Sequence, residues 1–339
     1  MLLIVFGTRP EWIKIKPLID KLTGIIPSSL LFTGQHTSLV DKSIDDYPVN
    51  HLKIEDITGN RLDSIVYSLM NEFDRYTYGV THVLVQGDTT SAFAAALCAF
   101  HRKIPIIHLE AGLRSYDSNN PYPEEFNRRA ISSMTSIHLC PTRNSLDNLD
   151  KEKAPGVSYV VGNTGLDDLS KYEISHEKKI VVTLHRRENH EIIKDWFIEL
   201  SILSNRFADY EFIFPAHPNP NIQKHIGMLS SSVKVIDPLP RDEMANLLAS
   251  CSFVITDSGG LQEEAAFFRK PCLVLRETTE RPEGLGNFSW LCKNPSLLEG
   301  MFLCLEKFGR INPTLKCPYG DGNASAKILE ILKGLHVWN

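Results

Sequence analysis

Short unbroken apolar runs alternate along this chain with longer segments whose apolar positions recur at three- and four-residue steps. Residues 2–5, 30–33, 83–86, 106–109, 137–140 and 158–161 are runs of the first kind. Runs that are apolar at nearly every position belong to parallel strands covered on both faces. Between them, Ile13, Pro17, Leu18 and Leu22 mark a helix after Arg9-Pro10-Glu11, with Pro10 at a favoured first-turn position. Further helices are predicted over 62–73, 89–100 and 124–134. Strand and helix in such regular alternation predict a doubly wound parallel sheet.

A polar stretch, 170–179, reads as a connection, and a second series follows it. Strands are predicted over 180–183, 212–214, 233–236, 253–256 and 272–275, with helices over 192–205, 241–249 and 261–268. The α/β chain therefore divides into two Rossmann-like domains, 1–166 and 167–339. A closing helix is predicted over 323–335, a segment that in two-domain α/β proteins can return to the first domain. No heptad run, low-complexity tract or short repeat interrupts this plan.

At 339 residues each domain is large enough for its own core. A formal charge of −5 argues against a nucleic-acid partner, which selects a basic face. No apolar run approaches the roughly 20 residues that span a bilayer, and residues 2–6 are too short for a signal-peptide core. A cytoplasmic protein without a membrane partner is expected. The seven cysteines are scattered, odd in number and without a C-x-x-C pair, so neither disulfides nor a zinc site is expected. His108 and Glu110 alternate onto one strand face, and His185 precedes Glu188 by three residues. No third ligand stands at a usual spacing, and no metal is expected.

The chemistry-bearing residues cluster where strands end. Gly87-Asp88-Thr89-Thr90 follows one apolar run and Glu110-Ala111-Gly112 the next, so Asp88 and Glu110 are expected on one rim, where open α/β sheets bind ligands. Alone, Asp88 would read as a helix cap. A second acid-glycine turn, and Glu124 one helical turn before Arg128, favour acid/base work instead. Gly7-Thr8-Arg9-Pro10-Glu11 opens the first domain in the same way, and Arg9 and Lys14 offer a clamp for a diphosphate.

In the second domain, Asp257-Ser258-Gly259-Gly260 leads from strand to helix, either as a cradle for phosphate at a helix N-terminus or as an ordinary capped turn. His185, followed by paired arginines, and His217 stand at two further strand ends, as if for an anionic ligand. Residues 276–283 form a charged loop that otherwise reads as a solvated, salt-bridged turn.

Taken in order, these motifs resemble a known family. Gly7-Thr8-Arg9-Pro10-Glu11, Gly34-Gln35-His36, Gly87-Asp88-Thr89-Thr90, Glu110-Ala111-Gly112-Leu113-Arg114, Pro123-Glu124-Glu125 with Asn127-Arg128, Gly162-Asn163-Thr164, His185-Arg186-Arg187-Glu188-Asn189, Thr256-Asp257-Ser258-Gly259-Gly260 with Glu263-Glu264, and Thr278-Thr279-Glu280-Arg281-Pro282-Glu283 resemble the non-hydrolysing UDP-N-acetylglucosamine 2-epimerases. The resemblance covers almost the whole chain. It implies a glycosyltransferase-B-like pair of Rossmann domains facing across a cleft, no redox cofactor, and a homodimer. It also implies interconversion of UDP-GlcNAc and UDP-ManNAc by anti elimination of UDP and re-addition through 2-acetamidoglucal.

Position by position, the resemblance implies proton transfer and oxocarbenium stabilisation by Asp88, Glu110 and Glu124, with His185 near the diphosphate. Arg9, Lys14, Ser258, Gly259 and Gly260 would hold the diphosphate, Glu264 the ribose, and Arg128 and His217 the sugar side. Some positions depart from the family pattern. Ser38 and Ser68 stand where many bacterial members carry a glutamine and an arginine for substrate activation, so such activation should be weak or absent. Leu184 replaces a glycine before the His-Arg-Arg-Glu stretch. Ser115 is a feature of relatives acting on UDP-2,3-diacetamido-2,3-dideoxyglucuronic acid, whereas the spacing of Asn119-Asn120-Pro121-Tyr122-Pro123-Glu124 is closer to the UDP-GlcNAc enzymes. A hydrolysing epimerase releasing ManNAc, a sugar transferase and a nucleotide-sugar sensor are the other readings.

Overall fold

The computed structural model describes residues 1–36, 42–55, 59–119, 121–309 and 311–338. It contains two compact units, Met1–Asp167 with Gly322–Asn339, and Asp168–Asp321.

The first unit runs β1 (Leu2–Phe6), α1 (Arg9–Leu22), β2 (Ser28–Phe32), β3 (Val49–His51), α2 (Arg61–Glu72), β4 (His82–Gln86), α3 (Thr90–His101), β5 (Ile106–Leu109), α4 (Glu124–Met134), β6 (Ile137–Cys140), α5 (Arg143–Glu152) and β7 (Val157–Val160). Among the described residues its seven strands are all parallel, in the order β3-β2-β1-β4-β5-β6-β7. The order reverses direction between β1 and β4, which sets the topological switch point there.

Both faces of this sheet are covered. Leu2, Ile4 and Phe6 of β1 pack with Trp12, Ile15 and Leu18 of α1 on one side. Leu3 and Val5 pack with Ile65 and Leu69 of α2 and the alanines of α3 on the other. This is why β1 is apolar at every position: alternate side chains serve opposite cores. Each such buried side chain contributes about 1.5–3 kcal/mol relative to exposure.

The second unit runs β8 (Lys179–Thr183), α6 (Ile193–Arg206), β9 (Glu211–Pro215), α7 (Pro220–Gln223), β10 (Val233–Ile236), α8 (Arg241–Ser250), β11 (Phe253–Thr256), α9 (Gly259–Phe267), β12 (Cys272–Val274), β13 (Ser289–Leu291) and α10 (Leu298–Phe308). Its described strands are parallel in the order β10-β9-β8-β11-β12-β13, with the switch point between β8 and β11. Trp196, Phe197, Phe212, Phe214 and Phe302 dominate its core.

The last helix, α11 (Ala324–Lys333), belongs to the first unit, where Ile328, Leu329 and Leu332 join the core beneath α1. The Asp167 carboxylate accepts the Ala324 and Ser325 amides at 2.9 and 2.7 Å, capping the helix at its N-terminus.

Five elements fall outside the sequence reading. Strand β3 is only Val-Asn-His and mostly exposed. Helix α5 carries just Leu146 and Leu149 as an apolar stripe and is set instead by Thr142, whose hydroxyl caps the Ser145 amide at 3.1 Å. Strand β13 forms one edge of the second sheet, α10 packs against α6, and α7 is a single turn.

Candidate functional site

In the first unit, the turns after β1, β4 and β5 bring together the residues marked in the sequence. Gly7 ends β1 because a Cβ there would overlap the hydroxyls of Thr33 and Ser91. Gly87 takes φ +68, and Glu110 takes φ +67, a left-handed conformation that carries a cost of order 1–3 kcal/mol outside glycine. Glu110 is thus not the strand residue paired with His108 on one face. It turns out of β5, and its carboxylate accepts from Lys14 Nζ at 2.6 and 2.5 Å and from the Gln86 amide. His108 stays behind it, fully buried with Nε2 on the Gly87 carbonyl at 2.7 Å, and burial pushes its imidazole down to about 3.

Asp88 is held from α4. Arg128 donates from Nε at 2.8 Å and approaches through Nη2 at 2.7 Å, while Asn127 donates to the Asp88 carbonyl at 2.8 Å. The two glutamates opening α4 divide their tasks. Glu125 is wholly buried and accepts the Ser115 and Tyr116 amides and Arg128 Nη1, which makes it a structural support. Glu124 carries a buried Oε2 that finds no hydrogen-bond partner among the described residues. Arg9 likewise keeps a buried Nε without one. A buried polar atom without a partner calls for an explanation, of which a bound water or ion is one.

One residue at this rim has no role in the sequence reading. Glu11 is buried and accepts the Gly7 amide at 3.0 Å, the Thr8 hydroxyl at 2.8 Å and the Thr89 hydroxyl at 2.7 Å. Burial pushes its carboxyl up to about 7, against the pull of those three hydrogen bonds and with the help of the Asp88 charge. The Thr8-x-x-Glu11 spacing of a capping box was the available signal.

In the second unit the organising residue is Asp257, at the end of β11. Fully buried, it accepts the His185 and Arg186 amides, Asn189 Nδ2 and His185 Nδ1 at 2.8–3.1 Å. Despite burial, His185 and those amides hold its carboxyl below the usual carboxylate range. The same contacts fix the His185 ring, which stacks on His217 with centroids 5.2 Å apart. His217 Nδ1 accepts the Asn219 amide at 3.2 Å, which leaves Nε2 as the proton-bearing nitrogen. Burial and the His185 charge lower its pKa.

Ser258, Gly259 and Gly260 begin α9, with Ser258 at the cap making no side-chain cap bond. The Ser258 amide itself is spent on Thr256 Oγ1 at 2.9 Å. Nothing stands near the missing Cβ of Gly260, whereas one on Gly259 would strike Arg281. The 276–283 loop is salt-bridged as expected but only partly solvated, with Glu277, Thr278 and Pro282 exposed. Arg276, Glu280 and Arg281 are buried in a chain of ion pairs, Glu188–Arg276 at 2.6 Å, Arg276–Glu280 at 2.8 Å, Glu280–Arg281 at 2.5 Å and Arg281–Glu263. Glu263 is therefore committed to Arg281, and Glu264 stands half-buried beside it.

Elsewhere, Gln35 accepts the Ser91 amide and hydroxyl at 3.0 and 2.8 Å, and buried Ser68 accepts the Glu55 amide at 2.9 Å. Ser38 and Asn120 lie outside the described residues. Among the described residues no three metal-ligating side chains converge, and no helix is long and apolar enough to cross a membrane.

Comparison with known proteins gives this geometry a family. A family model described as UDP-N-acetylglucosamine 2-epimerase matches residues 22–333. The UDP-N-acetylglucosamine 2-epimerase of Campylobacter jejuni is 36% identical, over 98% of this chain and 97% of that protein. The crystal structure of UDP-GlcNAc 2-epimerase from Neisseria meningitidis bound to UDP-GlcNAc superposes with a TM-score of 0.88 at 34% identity, covering 98% of this chain and 99% of that one. That of Methanocaldococcus jannaschii in complex with UDP-GlcNAc and UDP gives 0.81 at 30% identity, covering 98% and 99%. Matched end to end in sequence and in fold, the chain belongs to the UDP-N-acetylglucosamine 2-epimerase family, and it is an enzyme of the isomerase class.

Proposed function

We propose that the protein is a non-hydrolysing UDP-GlcNAc 2-epimerase, interconverting UDP-GlcNAc and UDP-ManNAc without a cofactor. The observation that carries this reading is the set of carboxylates at the ends of β1, β4 and β5, each held by a different partner. Asp88 sits on Arg128, Glu110 on Lys14, and Glu11 on two threonine hydroxyls. Removal of a C2 proton and its return on the opposite face need two acid/base groups in unlike environments. Asp88, Glu110 and Glu124 are our candidates, with Arg128 holding Asp88 on the sugar side.

Departure of UDP as an anion calls for donors and cations. In the second unit the N-terminus of α9, at Ser258, Gly259 and Gly260, suits a phosphate. His185, oriented by Asp257, serves as a donor to the diphosphate, with His217 stacked behind it, and Glu264 takes the ribose hydroxyls. In the first unit Arg9 adds positive charge, and Lys14 shares its own with Glu110. The uracil nucleotide would leave anti to the C2 proton, giving 2-acetamidoglucal, and re-adding UDP completes the exchange. A homodimer, which the resemblance implies, would be tested by light scattering.

Product analysis tests the reading. UDP-GlcNAc should convert partly to UDP-ManNAc with total UDP-sugar constant, and Asp88→Asn should abolish conversion while retaining UDP binding. Free ManNAc and UDP formed at the rate of substrate loss would make the enzyme a hydrolysing epimerase. Turnover confined to the diacetamido uronic acid nucleotide would reassign the substrate.

A further inference from the structure

Glu11 makes no contact that α1 needs beyond a single cap, yet its carboxylate binds three donors from two different turns. Gly7 and Thr8 belong to the β1–α1 turn, and Thr89 belongs to the β4–α3 turn. Thr8 and Thr89 are also the N-cap residues of α1 and α3, their oxygens receiving the Glu11 amide at 3.5 Å and the Ala92 amide at 3.0 Å. Each hydroxyl oxygen is thus occupied by a helix amide, and its hydrogen is directed at Glu11. Every group that meets the carboxylate is a donor, an arrangement that suits the ionised form. A protonated Glu11 would have to place its own hydrogen among them, and at least one of these bonds would reverse or break.

The residue before Thr89 is Asp88. Its other restraints come from α4, through Arg128 and Asn127. The β4–α3 turn is therefore gripped on one side by α4 and on the other by Glu11. We propose that Glu11 is a positioning residue of the reaction centre: as a carboxylate it ties the α1 and α3 caps together across the β1/β4 switch point, and so fixes where Asp88 stands. The inference rests on the reading of Asp88 as a group that acts at the sugar.

Burial brings the Glu11 carboxyl up to about 7, so the tie loosens within the working pH range. The charge that acts on it is that of Asp88 from the β4–α3 turn, itself paired with Arg128 of α4, which also holds Glu125. His108 of β5, which feels the Asp88 charge in turn, is lowered to about 3 by burial and stays neutral in that range.

The test is the rate of epimerisation between pH 6 and 9 for the parent, Glu11→Gln, Thr89→Val and Thr89→Ser, with thermal melts on each. The parent rate should fall on the acid side of about pH 7. Glu11→Gln should lower kcat by about 10- to 100-fold, the range expected from misplacing a reacting group, with KM changed by less than about threefold. Its acid-side fall should disappear. Thr89→Val should show the same loss, and Thr89→Ser, which keeps the hydroxyl, should recover most of it; this pair carries the test if Glu11→Gln does not fold.

Parental kcat and pH profile in Glu11→Gln and Thr89→Val, or a loss explained by the unfolded fraction alone, would overturn the inference. A parent that binds UDP-GlcNAc and never converts it would overturn the functional reading first, and the role of Glu11 with it.

Discussion

A single carboxyl illustrates how burial turns into measurable behaviour at the residue scale. Glu11 is raised from 4.5 to about 7, so between those values the folded protein holds a proton that the unfolded chain has released. Stability from this group is therefore present at low pH and lost as pH rises through that window, by an amount on the order of 3 kcal/mol. Urea unfolding at pH 5 and pH 8 should show the parent losing stability relative to Glu11→Gln by roughly that difference. Equal pH dependence in the two proteins would contradict the buried, proton-binding carboxyl. The sequence made Asp88, Glu110 and His185 legible because each follows an apolar run, which locates a strand end. Glu11 and Asp257 stand in the same motifs, yet their roles depend on donors from turns far away in sequence, Thr89 for one and Asn189 for the other. Local spacing does not encode such partners. Lys14, read as part of a clamp for diphosphate, is also ion-paired with Glu110, a partner that its spacing does not announce.

Among the elements, the central strands were the easiest to read, since burial on both faces leaves their middles apolar but for the buried His108 and His138. Boundaries shifted by one or two residues, as for β2, read over 30–33 and found at Ser28–Phe32, because the strand starts on two serines with no apolar signal. Strand β3 and helix α5 escaped for the related reason that their stability comes from neighbours rather than from a stripe of their own. The α11 helix depends on a distant cap in the same way. Replacing Asp167 by alanine removes the acceptor for two helix amides, and should cost about 1–2 kcal/mol. Hydrogen exchange should then quicken first at the N-terminus of α11, ahead of the strands; unchanged exchange there would show that packing alone holds the helix.

For the whole molecule, the division into units makes a further expectation. Residues 168–321 contain a complete six-stranded sheet with its helices, whereas residues 1–167 lack α11, which covers Ile15, Leu18 and Leu22. Expressed separately, 168–321 should unfold cooperatively, and 1–167 should aggregate unless supplied with 322–339; a soluble, cooperatively folded 1–167 would contradict the part given to α11. Composition set broad limits on function, and the ordered motifs carried the resemblance, but the chemistry itself turns on one carbon of one sugar. Proton NMR of the protein with UDP-GlcNAc in heavy water observes that carbon directly. Deuterium should appear at C2 in both UDP-GlcNAc and newly formed UDP-ManNAc. Tight binding of UDP-GlcNAc with the C2 proton retained throughout would contradict it.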